Sequence, residues 1–279
     1  MIKEFEGKVA VITGAAHGIG RSLAHAFAKR GMKIVLADID KKTLDEVTHE
    51  LKKNSDNVLA KVTDVSKPEQ VKELADFSYE HFENVNVLCN NAGVCHSAPI
   101  KQLTKKDWDW VLGINFYGVI YGINSFINRM IESNTLCHIV NTSSINGLYF
   151  SDMAPYDVTK HAIVSVSETL YVELSETNIG VSVLCPGWVK TDLVKTTENL
   201  AKQQSDISVL TPEILQSFNL DRETVDNLFE TGMEPDIVAE LVIKAIQEDI
   251  FYIVTHLENI QLIQKRFDKI LEDSTKLQK

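Results

Sequence analysis

Short apolar runs rich in Val and Ile recur at residues 9–13, 34–37, 58–61, 87–90, 138–142, 181–185 and 251–254. They are nearly continuous rather than alternating, which is the pattern of strands buried on both faces of a parallel sheet. Between them lie amphipathic stretches of helical period, such as 19–29, 43–52 and 71–82. Strand and helix alternate through most of the chain, which predicts a doubly wound α/β fold. No Pro/Gly/Ser-rich linker, repeat or low-complexity tract divides the sequence, so residues 1–279 are expected to form a single domain. One segment breaks the rhythm. Residues 192–232 carry no strand signal, only scattered apolar positions such as Leu193, Leu200, Ile207, Leu215 and Phe229. A segment this long between strands is either a helical extension of the core or a lid over a functional site. Residues 257–279 read as a C-terminal helix with a charged end.

Composition narrows the class. Hydrophobic residues make up 44% and charged residues 24%, enough apolar side chains for a substantial core. Lys plus Arg is 28 against 39 Asp plus Glu, a net charge of −11, so no general attraction for nucleic acid is expected. No apolar window of spanning length and no signal-peptide pattern stands out, and a cytoplasmic protein without a membrane span is expected. The four Cys (Cys89, Cys95, Cys137 and Cys185) are widely spaced, with no C-x-x-C, and read as reduced thiols. The His residues are dispersed, and no metal site is expected.

The first strand runs into Thr13-Gly14-Ala15-Ala16-His17-Gly18-Ile19-Gly20 and then a helix. Gly14 permits a tight turn, Gly18 a close backbone approach to a ligand, and Gly20 close packing of helix on strand. A helix start after such a turn offers free N–H groups and a positive dipole end to a pyrophosphate. The second strand ends in Asp38, 18 residues past Gly20. An acid there can accept hydrogen bonds from adenosine ribose hydroxyls and repels a 2′-phosphate, which favours NAD over NADP. His17 sits where a cation favouring the extra phosphate could sit, so NADP stays the alternative.

The glycine spacing, G-x-x-x-G-x-G, resembles that of the short-chain dehydrogenase/reductase family, and further motifs in the right order extend the resemblance over nearly the whole chain. The resemblance implies a single-domain Rossmann-type sheet of about seven strands with helices on both faces. It implies a contact to adenine from Asp64 and Val65. Asn90-Asn91-Ala92-Gly93 looks like the family's NNAG, with Asn91, Ala92 and Gly93 passing under the cofactor, although an ordinary Asn/Gly turn reads the same in isolation. Pro186-Gly187-Trp188-Val189-Lys190-Thr191 matches the segment that lies against the nicotinamide, with Pro186, Gly187, Val189 and Thr191 as contacts.

Tyr156 and Lys160 stand four residues apart, on one face of a helix. A free phenol has a pKa near ~10; an ammonium beside it is expected to lower that and let Tyr156 exchange a proton with an alcohol or carbonyl. In Asn141-Thr142-Ser143-Ser144-Ile145-Asn146-Gly147 a hydroxyl can stabilise charge developing on the reacting oxygen. The family's Ser–Gly spacing points to Ser144, whereas its Ser–Tyr spacing points to Ser143. Ser144 is preferred, because a loop absorbs a deletion more easily than a turn. Asn115 matches the family's helix Asn, which implies a water relay to Lys160; a mid-helix Asn bonding its own backbone is the plainer reading.

The expected activity is hydride transfer between a nicotinamide cofactor, NAD rather than NADP, and a secondary alcohol or ketone. Leu148, Met153, Trp188 and the 192–232 segment are the expected pocket, and their apolar character favours an apolar substrate, unless Arg222 reaches in. His96 is a further candidate for that pocket. A homotetramer or homodimer is expected by resemblance. The alternatives are a non-catalytic NAD(P)-binding redox-sensing regulator, which would be expected to lack Tyr156 or Lys160, and a sugar-nucleotide epimerase, which would carry a different glycine loop.

Overall fold

The computed structural model describes residues 1–204, 207 and 209–278. Seven strands form one sheet: β1 (Val9–Thr13), β2 (Lys33–Asp38), β3 (Val58–Val62), β4 (Val87–Asn90), β5 (Cys137–Thr142), β6 (Ile179–Cys185) and β7 (Tyr252–Val254). Their order is β3-β2-β1-β4-β5-β6-β7, and every pairing is parallel. Parallel neighbours need crossovers, and helices supply them: α1 (Gly18–Ala28), α2 (Lys41–Lys52), α3 (Pro68–His81), α4 (Lys105–Val111), α5 (Gly118–Glu132), α6 (Tyr156–Glu173) and α10 (Pro235–Glu248).

Strand side chains alternate between two layers. Ala10, Ile12, Ile34 and Leu36 join Leu23 and Phe27 of α1, Leu44 and Val47 of α2, and Val238, Val242 and Ile246 of α10. Val9, Val11, Val35 and Ala37 join Leu74 of α3, Val119, Phe126 and Met130 of α5, and Ile163 and Leu170 of α6. Both faces are thus buried, which is why the strands read as unbroken apolar runs. A one-residue slip in any of them would exchange the two layers.

Helical backbone is continuous from Lys105 to Glu132, and by length and composition that run could cross a membrane. Its apolar face is spent on the core, through Val119, Ile123, Phe126 and Met130. Between α4 and α5 the backbone makes a π-turn over Leu112–Tyr117, which lodges Asn115 fully inside the fold.

Among the described residues of the 192–232 segment there are three short helices: α7 (Leu193–Ala201), α8 (Pro212–Ser217) and α9 (Arg222–Glu230). They share a small core of Val194, Leu215 and Val225. Residues 205, 206 and 208 of that segment, and 279 of the C-terminal one, lie outside the described residues. After β7 the chain ends in α11 (Ile260–Lys276), of which Ile263 packs on the core. The sheet order reverses between β1 and β4, and the loops leaving the C-terminal strand ends there open a crevice, the usual ligand position in such sheets.

Candidate active site

The turn after β1 is built for close approach. Gly14 (φ +66°) and Gly18 (φ +48°) have left-handed backbone, and a Cβ on Gly14 would lie 2.8 Å from the Ala92 Cα. A Cβ on Gly20 would lie 2.0 Å from the Gly14 carbonyl oxygen, so Gly20 packs helix on strand. His17, the residue before α1, gives no side-chain cap, which leaves the first-turn N–H groups of α1 to the crevice. Thr13 stitches the turn to β4: its Oγ1 accepts the N–H of Asn91 (2.9 Å) and of Ala92 (3.1 Å). The Asn91 side chain donates to the Thr13 carbonyl (3.1 Å).

At the end of β2 the Asp38 carboxylate accepts the N–H of Ala16 (3.0 Å) and of Asp40 (2.9 Å). Burial raises its pKa, and these two bonds act against that rise. His17 is held by Asp40 (Nε2 to Oδ2, 3.0 Å), which Thr43 also binds. For Asp40, burial is outweighed by the bonds from Thr43 and His17, and its carboxyl sits below the usual range. Asp64 turns one carboxylate oxygen toward Ser66, accepting its N–H (2.9 Å) and its hydroxyl (2.7 Å).

Tyr156 opens α6, and Lys160 follows one turn later. The Lys160 Nζ lies 5.3 Å from the Tyr156 ring centroid and donates to the Thr142 carbonyl (3.1 Å). The pair therefore shares one face, as its spacing predicts, but the ammonium sits over the ring. Its effect on the phenol differs from the expectation. Burial drives the Tyr156 pKa well above its ordinary value, with only a hydrogen bond to Ser144 acting the other way. The same burial depresses Lys160 to about 8. Desolvation dominates at both groups, so the resting pair is a neutral phenol beside an easily deprotonated amine.

The two serines separate. The Ser143 hydroxyl donates to the Lys160 carbonyl (2.7 Å) inside the protein. The Ser144 hydroxyl meets Tyr156 and the Pro186 carbonyl (3.4 Å). Ser144, the serine chosen by the Ser–Gly spacing, is thus the one that touches Tyr156, while Ser143 is the one that lines the cavity described below. Asn115 spends its side chain on the 93–95 loop: it accepts the Val94 N–H (2.8 Å) and donates to the Val94 carbonyl (3.0 Å) and to Thr159 (3.3 Å).

These elements enclose a cavity of about 700 Å³. Gly14, His17, Gly18, Ile19, Asp38, Asp64, Val65, Asn91, Ala92, Gly93, Tyr156, Lys160, Pro186 and Thr191 line it. Gly20, Asn115, Ser144, Gly187 and Val189 do not, whereas Ser143 does; Val189 is buried in the core and pairs with Met233. Leu193, Thr196, Leu200 and Gln203 form one further wall, from the 192–232 segment expected there, and Trp110 and Ile114, a helical turn apart, form another that no motif announced. The i, i+4 spacing of Trp110 and Ile114 was the available signal.

Other candidates fall outside. His96 is buried, bonded to Asp107 (2.8 Å), and lines no part of the cavity. Arg222 is paired with Glu198 and Asp226 and does not line it. Leu148, Met153 and Trp188 are not in its wall either; Trp188 packs edge-on against Phe229. Of the thiols, Cys95 is the partly exposed one, while Cys89, Cys137 and Cys185 are buried.

The chain's residues 8–202 match the family model for short chain dehydrogenases. It is 34% identical to a CLA biosynthesis dehydrogenase/reductase of Lactiplantibacillus plantarum, over 98% of this chain and 96% of that one. It is 31% identical to a C alpha-dehydrogenase of a Sphingobium species, over 97% of this chain and 88% of that one. Among solved structures, a short-chain dehydrogenase/reductase from Burkholderia phymatum in complex with NAD superposes with a TM-score of 0.91. That protein is 36% identical, with 98% of this chain and 97% of the other covered. The glycine cradle, the helix start beneath it and the Asp38 carboxylate all fit a nicotinamide dinucleotide. Sequence, fold and crevice together make the chain a member of the short-chain dehydrogenase/reductase family, an oxidoreductase that acts on CH–OH groups with a nicotinamide cofactor.

Proposed function

We propose that the chain forms one domain and interconverts an apolar secondary alcohol and its ketone, with NAD as the preferred cofactor and Tyr156 as the acid/base. The meeting of Tyr156 and Lys160 in the cavity wall, with Ser144 hydrogen-bonded to Tyr156 behind it, carries this reading. When bound, the cofactor supplies or takes the hydride at its nicotinamide. The chain's own groups manage charge and protons. In reduction, Tyr156 gives its proton to the carbonyl oxygen while the Ser144 hydroxyl donates a second hydrogen bond to it. Lys160 stands over the ring and stabilises the phenolate left behind. Ser143 and Thr142 fix Lys160 from its backbone and its ammonium ends. Asn115 is the helix member of the site, reached from Lys160 through the 93–95 loop that it holds.

Cofactor preference follows from charge. Asp38 lines the cavity and would repel a 2′-phosphate, and Asp40 holds His17 (3.0 Å), the residue of the glycine turn that could otherwise meet that phosphate. The 192–232 segment closes one cavity wall with Leu193 and Leu200, which suits an apolar substrate and the role of a substrate lid. A homo-oligomer, tetramer or dimer, remains part of the proposal on family grounds. The relatives' names, dehydrogenase and dehydrogenase/reductase, support turnover over the cofactor-sensing alternative.

A panel of secondary alcohols and ketones of increasing chain length, assayed with each cofactor by nicotinamide absorbance, tests the reading. NAD should exceed NADP in kcat/KM by at least about tenfold, equal to 1.4 kcal/mol. Asp38→Ser should erase that preference. Oxidation should quicken and reduction slow as pH rises, since oxidation releases the proton. Binding of both cofactors with no turnover across the panel would favour the redox-sensing regulator.

A further inference from the structure

The peptide joining Pro186 to Gly187 is gripped from both sides. Its carbonyl oxygen accepts the Ile145 N–H (2.9 Å) and the Ser144 hydroxyl (3.4 Å). Its N–H donates to both Thr255 Oγ1 (3.2 Å) and His256 Nδ1 (3.2 Å). Thr255 Oγ1 and His256 Nδ1 lie 2.6 Å apart, which closes a triangle around that N–H. With Gly187 donating to Nδ1, that nitrogen is an acceptor, and the imidazole proton is on Nε2.

Sheet register brings these groups together. Cys185 and Val254 are paired on the parallel strands β6 and β7, so Pro186-Gly187 and Thr255-His256 leave the sheet side by side. Gly187 is fitted to this contact, because a Cβ there would lie 2.8 Å from His256 Cγ and Nδ1. On the far side, Ser144 has one hydroxyl hydrogen. Given to Pro186, it leaves the oxygen to accept from the Asn146 N–H (3.2 Å). At 3.4 Å the Ser144–Pro186 bond is long, hence easily exchanged for a bond to a substrate oxygen.

We propose that Thr255 and His256 are positioning residues: they fix the plane of the Pro186–Gly187 peptide and, through its carbonyl, the direction in which Ser144 offers its hydrogen. The inference rests on the reading of Ser144 and Tyr156 given above. Removing both acceptors strands the Gly187 N–H, and the peptide turns to find another partner. The Ser144 hydroxyl then loses its guide, while the groups that hold the dinucleotide at β1 and β2 stay in place.

The test compares wild type, Thr255→Val/His256→Leu and Thr255→Val/His256→Asn. The Asn amide oxygen takes the place of Nδ1 as acceptor. In the Leu double variant, Gly187 amide exchange should quicken about tenfold and kcat should fall at least about tenfold. Affinity for reduced cofactor should change less than about threefold, and the Asn variant should recover most of both losses. A folded Leu double variant with kcat within about twofold of wild type overturns the proposal. Should that variant not fold, Thr255→Val/His256→Ala removes the same two acceptors and takes its place. If wild type turns over no substrate, the acid/base reading fails by itself. Gly187 exchange then decides the clamp: faster in the Leu variant supports it, unchanged overturns it.

Discussion

Ser143 and Ser144 leave the end of β5 together and go to different partners: Ser143 to the Lys160 carbonyl, Ser144 to Tyr156 and Pro186. Ser144→Ala should therefore lower kcat by about 100-fold, the usual cost of losing a donor to a developing oxyanion. Ser143→Ala should leave kcat within about threefold and cost about 1 kcal/mol of stability, seen as a Tm lower by a few degrees. Equal kinetic losses in the two variants would refute this division of labour. Both serines were visible in the sequence, and the shorter Ser–Gly spacing chose between them because a tight turn is stiffer than the loop before Tyr156. The state of the phenol was not visible. Spacing shows that Lys160 faces Tyr156, but the sign of the shift is set by burial, which depends on residues from β5, α6 and the 93–95 loop at once.

Among elements, the strands were the most legible. β1 and β4 have the expected ends, and β6 starts at Ile179, two residues before the expected run. Burial on both faces leaves a compositional mark that short amphipathic helices lack. The π-turn at Leu112–Tyr117 has no such mark, and α7, α8 and α9 read only as scattered apolar positions. What ties α7 to the site was equally hidden. Thr197, fully buried, accepts the Cys95 N–H (3.0 Å) and donates to the Leu193 carbonyl (2.7 Å). Thr197→Val strands the Cys95 N–H and should loosen α7 from the loop that borders Gly93. Reduced cofactor should then leave at least about threefold faster in stopped-flow fluorescence, with a Tm lower by a few degrees. A dissociation rate equal to wild type would show that this bond does not hold the segment closed.

For the whole molecule, the site is a cost to stability. Lys160 titrates at about 8 in the folded chain against an ordinary 10.5. Between those values the unfolded chain binds the extra proton, so stability rises with pH across that window. Below it, keeping the buried ammonium charged costs of order 3 kcal/mol. Lys160→Met should thus raise Tm by a few degrees at pH near ~7 while abolishing turnover, and the gain should shrink as pH climbs toward ~10. A lower Tm than wild type at neutral pH would contradict this. Tyr156 has the opposite sign: folded, it keeps its proton beyond its ordinary value of 10, so stability falls as pH rises above that value. The most direct test of the account is single-turnover reduction of the best ketone of the panel, with wild type and Tyr156→Phe each saturated with reduced cofactor. The account predicts a rate at least about 100-fold lower in the Phe variant with cofactor affinity unchanged within about twofold. A Phe variant within about tenfold of the wild-type rate would show that the phenolic proton is not the one transferred.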